Sequence, residues 1–122
     1  MDAPNSFDPA AIERLCRLGG NKFAGEMIDL FISYGGKKLV AAREAQQAGN
    51  LAALAEAAHP LKSSAGNVGA INVQTSAAQL EQSAREQKAG LAGTQLAELE
   101  SAFAEVKSFL ESEKTRLVKP PS

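Results

Sequence analysis

The sequence predicts an all-α protein, an antiparallel up-down four-helix bundle with a short N-terminal cover helix. Three observations carry this. Prolines stand at 4, 9, 60, 120 and 121, so only Pro60 interrupts the chain between Ala10 and Lys119. Ala, Leu, Glu, Lys and Gln dominate that stretch, and no segment joins alternating apolar residues to β-branched or aromatic enrichment. Apolar residues recur instead at steps of three and four.

Asp8-Pro9 reads as an N-cap followed by a first helical residue, opening a helix over about 8–18 with Ile12, Leu15 and Leu18 on one face. Gly19-Gly20 ends it. A second helix over about 21–48 carries Phe23, Met27, Leu30, Phe31, Tyr34, Ala41 and Ala45, and Gly35-Gly36 inside it is expected to bend it. Gly49-Asn50 supplies a turn and a new cap. The third helix, about 51–68, has Leu51, Leu54, Ala58, Leu61, Ala65 and Val68 as its stripe, closed by Gly69. The fourth, about 71–89, uses Val73, Ala77, Leu80 and Ala84. Gly90 and Gly93 mark the next turn, Thr94 serves as a cap, and Leu96, Leu99, Phe103, Val106 and Leu110 line a last helix over about 95–117. Short loops make these helices antiparallel neighbours. Residues 1–6 read as an N-terminal extension, 7–117 as the bundle domain and 118–122 as a frayed tail.

Composition excludes several functions. The chain has 122 residues, enough for one core, with 13 Lys and Arg against 14 Asp and Glu, a balance that points away from nucleic acid. No apolar run is long enough to cross a bilayer, and the N-terminus shows no secretory pattern. Cys16 is alone, as expected of a reducing cytoplasm. Met1 and the tail after Leu117 are those expected of a free protein. His59 is the only histidine, which removes two-His metal motifs; Glu56-Ala57-Ala58-His59 matches one half of a di-iron motif and lacks the other.

On a helical wheel His59 lies about 125° from the centre of the third helix's apolar stripe, so it should face outward. Its column neighbours Ala52, Ala55, Ser63 and Gly66 are small, and Lys62 stands one turn away. The expected picture is an exposed imidazole in a clearing, with an ammonium beside it.

The run Ala58-His59-Pro60-Leu61-Lys62-Ser63-Ser64-Ala65-Gly66-Asn67-Val68-Gly69-Ala70 resembles the signature of the histidine-containing phosphotransfer (HPt) family at every signature position. Leu30-Phe31, Ala48-Gly49-Asn50 before Leu51, and Leu80-Glu81 resemble the family's flanking segments, so the likeness covers about residues 7–112. The resemblance implies a four-helix bundle and a cytoplasmic, monomeric phosphorelay intermediate. In it His59 takes a phosphoryl group on Nε2 from the aspartate of one response-regulator receiver domain and passes it to another. It implies receiver domains or a hybrid sensor histidine kinase as partners, with neither nucleic acid nor membrane. No ATP-binding kinase segment or Gly-rich phosphate loop is present, so autokinase activity is not expected. No cofactor is expected of this chain; Mg²⁺ would come with the receiver.

An imidazole near neutral pH can act as a nucleophile, and phosphoryl transfer needs mainly positioning and charge neutralisation. Lys62 would supply charge to the phosphoryl oxygens. Glu81, by spacing alone a surface acid, would on the resemblance hydrogen-bond Nδ1 and present Nε2 outward. Ala55, Pro60, Ser63 and Gly66 would form the partner-facing surface. Pro60 should either kink the third helix or divide it, and the unbroken phase of the stripe favours the kink. A non-phosphorylated helical adaptor that binds a receiver or a partner helix is the alternative reading.

Overall fold

The computed structural model describes residues 7–118, with the side chains of 7–117. The predicted extension at 1–6, and all of the tail beyond 118, lie outside the described residues. Four helices follow one another: α1 (Pro9–Gln47), α2 (Leu51–Val68), α3 (Ile71–Arg85) and α4 (Ala89–Val118). Each packs on its neighbour in the chain, and α1 closes the ring on α4.

The caps predicted at Asp8, Asn50 and Gly69 form. The Asp8 carboxylate accepts from the Ala10 amide at 3.0 Å, with Pro9 opening the helix behind it. The Asn50 side chain accepts from the Ala53 amide at 3.0 Å, and Gly69 ends α2 in the left-handed region. The stripes assigned to α2, α3 and α4 become the core: Leu54, Leu61, Val73, Leu80, Leu96, Leu99 and Leu110 are all fully buried.

The break predicted at Gly19-Gly20 is present: Gly20, at φ 88 and ψ 177, is a kink between two helices that together make up α1. The segment before Gly20 still acts as a cover: Phe7 packs on Phe109 of α4, ring centroids 4.5 Å apart, and the Asp8 amide donates to the Gly69 carbonyl. Two expectations for the elements need correction. The packed face of α1 lies elsewhere than predicted, and Gly35-Gly36 inside it keeps helical backbone angles. Gly35 faces the ring of Phe103, which occupies the place a Cβ would take, so the glycine serves close approach to α4. The packed face of α1 runs through Ala24, Gly25, Ile28, Phe31, Gly35, Ala42 and Ala45, while Leu18, Leu30 and Tyr34 are exposed. Counting large apolar residues misplaced this stripe, because small residues bring α1 against its neighbours. Second, α3 ends at Arg85 and α4 starts at Ala89, so Gly90, Gly93 and Thr94 are helical. Buried Ala92 extends the Leu96–Leu99 stripe by a turn, and that packing offsets the glycines' helix cost of about 1 kcal/mol each.

Candidate functional site

The site is built on the α2–α3 hairpin. α2 runs unbroken from Leu51 to Val68 through Pro60, so it does not divide there. Pro60 lacks an amide, and the Glu56 carbonyl loses its ordinary helical partner. Phase is nonetheless kept: Ala58 and Leu61 are buried, while the His59 side chain is 62 % exposed, as the wheel predicts.

Glu81 enters from α3. It follows Leu80 on the flank of the buried stripe, so its own residue is buried. Three side chains converge on it. His59 Nδ1 lies 2.7 Å from Oε2, Lys62 Nζ lies 2.5 Å from Oε1, and Arg85 sets Nη2 at 2.8 Å and Nε at 3.1 Å from Oε2. Burial pushes the carboxyl's pKa upward, but hydrogen bonds from Lys62, Arg85 and His59 outweigh it and bring it from 4.5 down to about 2. The group is therefore ionised at neutral pH. An ionised carboxylate only accepts, so Nδ1 carries a proton toward Oε2. In the neutral ring Nε2 then holds the free lone pair, on the exposed side of the imidazole.

The other expected site residues fall out unevenly. Ser63 is exposed and Pro60 half-buried on the same helix. Ala55 is fully buried, which corrects its assignment to the partner-facing surface: it points into the helix packing. Gly66 is not a bare clearing, since the Gln74 amide of α3 lies over it, 2.9 Å from where a Cβ would stand. Lys62 is tied to Glu81 rather than standing free in solvent. Sequence reasoning missed Arg85 altogether, although an acid four residues before an arginine on a predicted helix is a recognisable pairing signal. Among the described residues no cluster of three or more His, Cys, Asp or Glu side chains could hold a metal ion. Among them, too, no helix is long and apolar enough to cross a membrane.

The sequence model of the Hpt domain matches residues 26–109. The chain belongs to the Hpt domain family. The whole four-helix ring takes part in the likeness. Histidine-containing phosphotransfer protein B (HptB) from Pseudomonas aeruginosa PAO1 superposes with a TM-score of 0.88 at 25 % identity, over 93 % of this chain and 98 % of that one. A rice protein described as a histidine-containing phosphotransfer protein shares the fold, with a TM-score of 0.81 at 19 % identity, over 93 % of this chain and 81 % of its own. No curated protein sequence matches. The function of this Hpt domain is histidine phosphotransfer in phosphorelays, as a phosphocarrier working with receiver domains and kinases.

Proposed function

We propose that His59 is the residue that carries the phosphoryl group, on Nε2, between aspartates of response-regulator receiver domains. The observation that supports this most directly is the bond from Nδ1 to a buried, ionised Glu81, with the ring otherwise open to solvent. In the forward step the Nε2 lone pair attacks the phosphorus of the receiver's aspartyl phosphate. The N–P bond forms, the P–O bond to the aspartate breaks, and the carboxylate leaves with that electron pair. Onward transfer reverses the bonds with a second aspartate. Glu81 keeps the Nδ1 proton in place and favours the cationic ring that develops, as a charge-assisted bond should. Lys62, one turn along α2, lends positive charge to the phosphoryl oxygens.

The protein on this reading draws no phosphate from ATP unaided and holds no cofactor; the partner receiver brings the Mg²⁺. It works as a cytoplasmic monomer, away from nucleic acid and membranes. The receiver docks over Pro60, Ser63 and the Gly66–Gln74 contact.

The test is incubation with a phosphorylated receiver. The protein should gain an acid-labile, alkali-stable phosphate. His59→Gln should lose it entirely while remaining folded, with a lowered melting temperature because buried Glu81 gives up its bond from the ring. Phosphate retained on the variant would place the acceptor elsewhere.

A further inference from the structure

The Glu81 carboxylate is shared unequally. Oε1 receives one donor, the Lys62 ammonium; Oε2 receives three, His59 Nδ1 and both Nε and Nη2 of Arg85. A carboxylate oxygen has two lone pairs in its plane, so the third donor weakens the others. Arg85 and His59 therefore compete for one atom. We propose that Arg85 is a positioning residue that sets the lifetime of the phosphohistidine by limiting how strongly Glu81 holds the Nδ1 proton. This rests on the reading of His59 as the phosphoryl carrier.

The chemistry follows from the leaving group. In hydrolysis water attacks the phosphorus, a P–O bond forms, the N–P bond breaks with its electron pair going to Nε2, and the water proton passes to solvent. With Nδ1 protonated the ring departs as neutral imidazole, a good leaving group. With Nδ1 bare it would depart as imidazolate, a poor one, until it takes a proton. Whatever strengthens the Nδ1–H···Oε2 bond keeps the reactive form populated to higher pH. Arg85 draws charge from Oε2 and so shortens that range, leaving a longer-lived adduct at mildly alkaline pH.

The groups around the ring are few. From α3 come Glu81 and Arg85, and Glu86 just past its end lines a groove with Lys62, Glu81 and Arg85 while pairing with Lys88. From its own helix come Lys62, on the other carboxylate oxygen, and exposed Glu56, which lines a groove together with Arg85. Ion pairs on α1 and α4, Arg43 with Glu100, Lys114 with Asp29 and Arg116 with Glu113, join those helices to each other or lie within one of them. Arg85 is itself more than half exposed, so its removal opens no cavity.

The experiment uses the full chain, phosphorylated by phosphoramidate, and follows decay of the adduct from pH 6 to pH 9. Arg85→Leu should move the sloping limb of the decay profile upward by roughly half a pH unit, about a threefold faster loss at a given pH on that limb. Arg85→Lys, which keeps a cation four residues from Glu81, should restore most of the original profile. Because His59 is the only histidine, its imidazole ¹⁵N and ¹H signals are read without overlap in the unphosphorylated protein. The Nδ1 proton of Arg85→Leu should move downfield as its bond to Oε2 strengthens. Coincident decay profiles, or a profile moved to lower pH, overturn the proposal. Unchanged imidazole signals overturn the coupling whether or not phosphate is carried. Failure of the parent protein to take up any phosphate defeats instead the underlying reading of His59.

Discussion

An acidic side chain on a helix surface stays ionised because water solvates it. Glu81 is buried and stays ionised because Lys62, Arg85 and His59 take the place of that water. Its stability contribution has a definite sign with pH. The folded carboxyl titrates near 2 and the unfolded one near 4.5, so the contribution is fully present above 4.5 and lost as pH falls toward 2. Glu81→Gln keeps the shape and removes the titration. Its melting temperature should lie below that of the parent at pH 7, with the gap closing as pH is lowered through that window; thermal melts at pH 7, 4 and 2.5 measure it. A gap constant with pH would mean that the charge of Glu81 contributes nothing. At this scale the sequence was partly legible. The exposure of His59 followed from helical phase alone. The burial of Glu81 did not, because a residue on the flank of a stripe is buried or exposed according to how the partner helix leans.

Pro60 poses a question for the helix as an element. α2 passes through it without interruption, although proline inside a regular helix costs about 3 kcal/mol from a lost hydrogen bond and a clash with the preceding turn. Packing on both sides holds the helix together, with Leu54, Ala58, Leu61 and Ala65 all fully buried. Pro60→Ala restores the amide and should raise stability by on the order of 1–2 kcal/mol, several degrees in a thermal melt. An unchanged or lower melting temperature would show that the surrounding packing already absorbs the cost. The elements themselves were readable wherever one large apolar residue appears per turn, as in α3 and the later part of α4. They were misread where small residues pack. The face of α1 built on Ala24, Gly25 and Gly35 carries little hydrophobic signal, and Gly90 and Gly93 looked like a loop while lying in the first turns of α4.

For the whole molecule, a backbone contact ties the cover segment to the bundle beside the packing of Phe7 on Phe109. The Asp8 amide donates to the Gly69 carbonyl at 2.9 Å, and a Cβ on Gly69 would come 2.3 Å from the Asp8 carbonyl oxygen. Gly69 also has φ +78, where a side chain is strained. Gly69→Ala should therefore destabilise by more than 1 kcal/mol, because strain and clash act together. Amide exchange near Phe7 and Asp8 should rise with it. A variant as stable and as protected as the parent would show that the cover does not depend on this contact. The arrangement of the ring has a different consequence for signalling. Both members of the His59–Glu81 pair, and both cations bound to Glu81, belong to α2 and α3, on one open side of one hairpin. On the reading of His59 Nε2 as the one acceptor atom, the donor and the recipient of the phosphoryl group would need the same face and could not occupy the protein together. They would take turns, so an excess of either partner would exclude the other.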